Sequence, residues 1–175
     1  MKRLLSALLV LTLFILPACA QEIYTEPLVP RIVPPAANGG EAALYCGPTQ
    51  GFLRIGNAAL DLGAPYVVFG QYDCWAMAAQ GTPDAFGPVG WIEAAHLAGA
   101  DVPELPFSDA YEAMIEEDAA ATDDPLGLVP GRESAITLPR GTWVVVLAAF
   151  GDMLYVQCET GGVPARVFVP AACIL

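Results

Sequence analysis

This chain contains an internal repeat, and the repeat limits the folds that the chain can adopt. Residues 63–72 align with residues 141–150 at an offset of 78, and residues 90–97 align with residues 167–174 at an offset of 77. Identity between the copies is low, but apolar character recurs in the same order, and the change of one residue fits within a turn. Such a repeat predicts two similar structural units.

Each copy reads as a series of short strands. Runs of β-branched and aromatic residues alternate with turn residues such as Gly151 and Asp152. Strands of about five or six residues at regular spacing are typical of a small barrel. We therefore predict a mainly β fold with two small β-barrels in tandem, over residues 43–98 and 125–175.

A short helix is predicted in the linker between the barrels, residues 99–124. Its core is the segment 108–122, where one apolar stripe at helical spacing is flanked by acidic residues. The residues of the stripe are Tyr111, Met114, Ile115 and Ala119. The helix is expected to pack this stripe on one barrel and to act as a spacer.

The N-terminus predicts export. Lys2 and Arg3 precede an apolar run over residues 4–16, and Ala18 and Ala20 frame a cleavage site after Ala20. As a helix the run would span roughly 20 Å, short of a hydrocarbon core of about 30 Å. Residues 1–20 are thus predicted to be a signal peptide, and the mature protein to be periplasmic or secreted.

A lipoprotein signal is the alternative interpretation of this segment. In that case Cys19 becomes the lipidated first residue of an outer-envelope lipoprotein. After the signal, residues 21–42 contain Pro27, Pro30, Pro34 and Pro35. Because proline fixes φ and removes a hydrogen-bond donor, this stretch is predicted to be an extended tether.

Four further cysteines form an even set in a chain predicted to reach an oxidising compartment. They are Cys46, Cys74, Cys158 and Cys173. Disulfides are therefore expected, and four cysteines allow three connectivities. Pairing within each copy, Cys46 with Cys74 and Cys158 with Cys173, would staple two small barrels.

The charge balance restricts the class of partner. The chain has 19 acidic residues, and five arginines remain once Lys2 and Arg3 leave with the signal. Such a surface repels nucleic acid and anionic lipid, so neither is expected as a partner. A neutral, cationic or protein partner is expected instead, and no membrane span is predicted in the mature chain.

The first copy resembles the bacterial SH3-like (SH3b) domain in its order of leucine, glycine, apolar and tryptophan positions. These positions are Leu60, Leu62, Gly63, residues 67–70, Trp75, residues 87–92 and Leu97. The second copy is similar over residues 138–147, 154–156 and 168–174 but has no tryptophan at the positions equivalent to Trp75 and Trp91. The resemblance implies two divergent SH3-like barrels and the binding of a protein or of peptidoglycan peptide.

Aromatic residues are the candidate ligand platforms, because aromatic faces stack on sugars and on extended peptides. The candidates are Tyr66, Tyr72, Trp75, Trp91 and Phe150. The alternative for each is a place in the barrel core, since strand alternation buries every second residue. Tyr72 and Phe150 occupy matching positions near turns and are expected to be partly exposed.

No catalytic residue, metal site or cofactor is predicted. His96, the single histidine, aligns with Cys173 and is expected to pack rather than to catalyse. The acidic residues 116–118, Asp123 and Asp124 match no calcium-binding spacing and are expected to be solvated.

The expected function is that of an exported, non-catalytic binding or adaptor module for a protein partner or a cell-wall peptide. Two alternatives stay open. One is a secreted enzyme associated with the cell wall, or an enzyme inhibitor, whose site is not recognisable from sequence. The other is a structural spacer whose barrels hold the linker in place.

Overall fold

A computed structural model describes residues 23–35, 39–97, 99–107, 110–123 and 136–174, and the predicted signal peptide with Cys19 lies outside them. In these ranges the chain is mainly β, as predicted. The strands are β1 Arg31–Val33, β2 Glu41–Tyr45, β3 Arg54–Asp61, β4 Tyr66–Tyr72, β5 Trp75–Thr82, β6 Ala85–Phe86, β7 Gly90–Glu93, β8 Tyr111–Met114, β9 Ala119–Ala120, β10 Thr137–Leu138, β11 Trp143–Phe150, β12 Met153–Thr160 and β13 Val163–Pro170. Two short 3-10 helices, Ala94–Leu97 and Ala171–Cys173, follow β7 and β13.

Strands β1 to β7 form the first unit. Hydrogen-bonded neighbours follow the order β1-β4-β5-β7-β2-β3, and β6 pairs with the end of β5. Every pairing in this sheet is antiparallel. Tyr45 in β2 pairs with Trp91 in β7, which connects the β4-β5-β7 meander to the β2-β3 pair.

Strands β8 to β13 form the second unit with the same strand order. A four-stranded antiparallel sheet follows β8-β11-β12-β13, and β9 pairs with β10. Thr122, just after β9, bridges to Phe168 in β13 as Tyr45 bridges to Trp91 in the first unit. Thr122 follows Tyr45 by 77 residues, and Phe168 follows Trp91 by 77 residues, so the two bridges are equivalent. The strand order of the second unit therefore continues as β8-β11-β12-β13-β9-β10.

The register of the strand pairs is also the same in both units. Leu60 pairs with Ala42 in the first unit, and Leu138 pairs with Ala119 in the second, at offsets of 78 and 77. The sequence repeat therefore corresponds to a repeat of paired strands, each copy ending in a 3-10 helix.

The prediction of a helical linker between the two units is wrong. Residues 111–114 and 119–120 are the extended strands β8 and β9, and β8 pairs with β11. Buried and exposed residues alternate here: Ala113, Ile115, Ala119 and Ala121 are buried, whereas Glu112, Met114 and Ala120 are exposed. The short apolar pattern is compatible with the helical period of about 3.6 residues and with the strand period of two. Pairing of β8 with β11 selects the strand period.

The predicted closed barrels are not observed in the described ranges. Each unit is an open path of paired strands that ends at β1 and β3, or at β8 and β10. The first path ends at β1, which has only three residues, and the second path ends at β10, which has only two. A strand this short offers too few backbone groups to pair along the opposite end of the path.

Residues 23–35 do not form the predicted free tether. β1 pairs with β4, and Leu28 and Val33 are buried. Tyr24 reaches the second unit, where its carbonyl accepts a hydrogen bond of 2.8 Å from the Ala149 N–H. The segment is extended, as its prolines require, but it packs across both units and supplies the first strand of the sheet.

Three groups of buried side chains stabilise the described part of the fold. One lies within the first unit around Leu44, Leu60 and Ile92, and one lies within the second around Ile115 and Val156. The third, which we call the inter-unit core, draws residues from both units. Its members include Phe69, Trp91, Leu105, Phe107, Phe150, Tyr155 and Phe168.

Candidate ligand cavity

A cavity of about 320 Å³ lies between the two units. It is bounded by β2, β3, β5 and β7 of the first unit and by β12, β13, Asp123 and Ile136 in the second. Its lining is Tyr45, Cys46, residues 53–56, Met77, residues 88–91, Asp123, Ile136, Tyr155 and residues 166–168. This volume falls at the lower end of the range for small-molecule sites.

Trp91 and Tyr155 form a hydrogen-bonded part of the cavity wall. The Trp91 indole N–H donates a hydrogen bond of 2.8 Å to the Tyr155 hydroxyl, and both side chains are 1% exposed. The Tyr155 ring also packs on Phe168 with 4.6 Å between ring centroids. Burial raises the pKa of Tyr155 well above its ordinary value of 10.0, so the phenol stays neutral.

Arg166 is one of two arginines that line the cavity. Its guanidinium lies 5.3 Å from the centroid of the Phe52 ring, 5.5 Å from that of Tyr72 and 5.9 Å from that of Phe107. Its Nε donates a hydrogen bond of 3.0 Å to the Gln157 side-chain oxygen. Three aromatic rings and one amide thus fix the orientation of the guanidinium.

One donor of this guanidinium is left without a partner. The Nη1 atom of Arg166 is buried and has no hydrogen-bond partner among the described residues. Burial lowers the pKa of Arg166, with the Tyr155 and Tyr72 hydroxyls acting in the opposite direction. A buried cationic donor without a partner is costly, and an anionic acceptor would remove that cost.

The charges of the lining differ from those of the whole chain. Two arginines, Arg54 and Arg166, and one acid, Asp123, line the cavity, whereas the chain as a whole has a formal net charge of −12. Burial, then Asp123 and Cys158, raises the pKa of the Cys46 thiol to about 11. This thiol is therefore protonated at neutral pH and is not an activated nucleophile.

The structure places the five predicted ligand residues at different sites. Trp91 lines the cavity, and Tyr72 is half-buried beside Arg166. Tyr66 is fully buried in the first unit, where its hydroxyl donates to the His96 carbonyl at 3.0 Å. Phe150 is buried in the inter-unit core, so the expected exposure at this position is wrong.

Trp75, the fifth candidate, lies outside the cavity. It is 8% exposed, and its ring meets that of Tyr45 edge-on at 5.9 Å. A small polar pocket of about 190 Å³ adjoins it and also receives His96, Glu41 and Glu93. Among the described residues, no group of three or more His, Cys, Asp or Glu side chains is arranged to hold a metal ion.

Tyr155 and Arg166 were missed in the sequence. Tyr155 follows an apolar residue within β12 and carries no distinctive motif. Arg166 had a signal, because it is the charged residue of β13, a strand of otherwise apolar and proline residues. A charge in such a strand indicates a buried partner or a ligand site.

The predicted disulfides are absent from the structure, in which Cys46, Cys74, Cys158 and Cys173 are all free thiols. Cys74 is exposed in the β4–β5 turn, whereas Cys46 packs against the core of the second unit. The Cys46 carbonyl accepts a 2.7 Å hydrogen bond from the Arg166 N–H, which holds Cys46 against the opposite unit. Cys158 faces the core beside Ala165, its partner on β13.

Comparisons with known proteins gave no match to a family model, to a curated protein or to a solved structure. In the described part of the chain, no helix has both the length and the apolar character needed to cross a membrane.

Proposed function

We propose that this chain is an exported binding protein made of two divergent SH3-like units, with its ligand site in the cavity between them. The shared strand order and the 3-10 helix after β7 and after β13 support this assignment of the units. The N-terminal segment with its apolar run supports export to the periplasm or the medium.

The ligand carries a carboxylate next to an apolar group, as the last residue of a peptide does. The buried, unpartnered Nη1 of Arg166 beside a mainly apolar cavity is the observation that carries this proposal. A carboxylate accepts charge-assisted hydrogen bonds from a guanidinium, and each is worth about 1.5–3 kcal/mol. The apolar group would lie against Met77, Ile55 and Phe168.

Binding rather than catalysis fits the titratable groups of the cavity. Burial keeps the Cys46 thiol and the Tyr155 phenol protonated at neutral pH. His96 lies in the other pocket, beside Glu93 and Trp75. The cavity thus combines arginine side chains with an apolar surface, a combination that suits the selection of a ligand.

A pair of small probes tests the proposal. N-acetyl-leucine has the carboxylate and the apolar group, and N-acetyl-leucinamide is its uncharged match. We expect N-acetyl-leucine to shift the NMR signal of the Trp91 indole N–H and the amide to bind at least about ten-fold more weakly. The full chain without residues 1–20 is the protein to use.

Arginine variants locate the binding site. Arg166→Gln is expected to abolish the preference for the carboxylate, whereas Arg140→Gln, an exposed arginine outside the cavity, leaves it unchanged. Equal binding of the two probes, or loss of the preference in Arg140→Gln, would overturn the proposed site.

Two further measurements separate the natural sources of such a carboxylate. Sedimentation with purified sacculi tests a cell-wall peptide, and binding of short peptides with free or amidated C-termini tests a protein partner. In whichever of these two measurements detects binding, we expect a free C-terminal carboxylate on the ligand to be required. Intact mass of the exported protein, with and without reduction, tests cleavage after Ala20 against lipidation at Cys19.

A further inference from the structure

An exposed tryptophan marks a second surface on this protein, separate from the cavity. Trp143 begins β11 and is 68% exposed, and it pairs across the sheet with Met114 of β8, which is 40% exposed. The other two tryptophans, Trp75 and Trp91, are buried. Cross-strand partners lie on the same face of a sheet, so Trp143 and Met114 form one apolar patch.

This patch borders a groove of about 380 Å³ on the second unit. Val145 lines the groove, and it pairs with Glu112 on one side and with Gln157 on the other. The side walls include Glu159 and Pro164, which are partners across the β12–β13 hairpin. The groove thus combines an indole face, aliphatic side chains and two carboxylates.

The charged side chains that line the groove are acidic. Glu112 and Glu159 are both exposed, and no lysine or arginine is among the described residues that line it. This differs from the ligand cavity, where two arginines face one acid. Charge complementarity therefore selects a cationic occupant for the groove.

The groove is continuous with an interface that the protein already uses. Val145 packs against the inter-unit core and also lines the groove, so one face of this sheet carries both. β8, which carries Glu112 and Met114, is the last strand of its sheet. The open part of this face therefore extends a surface that is already suited to contact with another folded unit.

We propose that the groove binds a lysine or arginine side chain in a basic segment of a partner protein. The charged head lies over the Trp143 indole, between the carboxylates of Glu112 and Glu159. Its aliphatic stem lies along Val145 and Pro164. A cation on an indole face is held by the ring quadrupole, and a long basic side chain covers apolar surface with its methylenes.

This surface goes beyond the cavity proposed above and does not depend on it. The cavity takes an anionic group and the groove takes a cationic one. They share no lining residue among those described, and they adjoin where Gln157 of the groove accepts a hydrogen bond from Arg166 of the cavity. A chain with both sites could connect two partners of opposite charge, which is what an adaptor does.

Tetralysine is the probe for this surface, with tetraglycine as the uncharged peptide of the same length. In the NMR spectrum of the labelled protein, the indole N–H signal of Trp143 is the one lost in Trp143→Phe. We expect tetralysine to shift this signal, tetraglycine to leave it in place, and added salt to weaken the effect. The signals of Trp75 and Trp91 should move less.

Variants then test the residues of the groove. Trp143→Ala is expected to weaken tetralysine binding by roughly two- to five-fold, the effect of one exposed cation–π contact. Glu112→Gln with Glu159→Gln should weaken it at least as much. Glu117→Gln removes an exposed acid outside the groove and is the matched control.

Two results would overturn the proposal. One is a tetralysine titration that moves signals over the whole acidic surface without preference for Trp143. The other is a loss of binding in Glu117→Gln as large as in the two groove variants. Because Trp143, Glu112 and Glu159 are exposed, these variants should keep the wild-type thermal transition, and circular dichroism checks this in each.

Discussion

Trp91 and Tyr155, 64 residues apart in the sequence, share a buried hydrogen bond of 2.8 Å across the boundary between the two units. Trp91 pairs with Met77 across β7 and β5, and Phe168 pairs with Tyr155 across β13 and β12. These two strand pairs are equivalent in the repeat, with Phe168 at the position of Trp91 and Tyr155 at that of Met77. All four residues belong to the inter-unit core. The two units therefore pack through the same face, and the Trp91–Tyr155 bond lies where those faces meet.

Stability is expected to fall in alkali. The Tyr155 pKa is raised well above 10.0 and the Cys46 pKa is raised from 9.0 to about 11, in each case mainly by burial. The native state therefore holds protons that the unfolded state releases, so this contribution is complete below about pH 9 and declines as the pH rises towards 11. Urea midpoints between about pH 8 and pH 11 should show a loss of about 1–2 kcal/mol.

The control for this pH dependence is Tyr155→Phe. Without the phenol, the decline between about pH 9 and pH 11 should be smaller than in the wild type. A stability that is constant or rises over this range would contradict the account of both groups.

The cysteines should react in the order of their exposure. Cys74 is exposed, Cys46 is partly buried with a raised pKa, and Cys158 is 5% exposed. Iodoacetamide at neutral pH is expected to label Cys74 first, and to label Cys158 only in denaturant. Peptide mass spectrometry of the labelled protein measures the order, and recovery of a peptide with Cys46 bonded to Cys74 would contradict the free thiols.

Gly70 should not tolerate a side chain. A Cβ at this position would lie 2.4 Å from Cγ of Leu105, which is buried in the inter-unit core. Gly70→Ala is therefore expected to destabilise the protein by about 1–3 kcal/mol, the usual cost of overpacking a core. Gly87→Ala is the matched control, because its Cβ would meet Gln80 at an ordinary 3.5 Å.

Urea unfolding of the two glycine variants measures this difference. Equal midpoints for Gly70→Ala and Gly87→Ala would show that Leu105 is not packed against β4 as described.

The sequence predicted the repeated units better than their edges. Long strands such as β4 and β11 carry enough apolar residues to align at the offset of 78. β1 was missed because three residues in a proline-rich segment carry no period, and Val33 is buried only through pairing with β4. β8 was mistaken for helix because its few apolar residues fit both the spacing of two helical turns and the alternation of a short strand.

The candidate site was harder to predict than the fold, because it depends on contacts between distant residues. Trp91 could be selected as an aromatic, but its partner Tyr155 is set by how the two units pack. The aromatic rings around Arg166 come from Phe52, Tyr72 and Phe107, and Phe52 precedes Arg166 by 114 residues of sequence. Local patterns carry no information on such a cluster.

The two units form one body through the inter-unit core, and a double-mutant cycle on Trp91 and Tyr155 tests this packing. Urea unfolding of Trp91→Phe, Tyr155→Phe and the double variant gives the coupling free energy between the two side chains. We predict a coupling of about 0.5–1.5 kcal/mol, the net worth of a hydrogen bond between neutral groups. Additive effects, with no coupling beyond error, would contradict the shared core and with it the cavity.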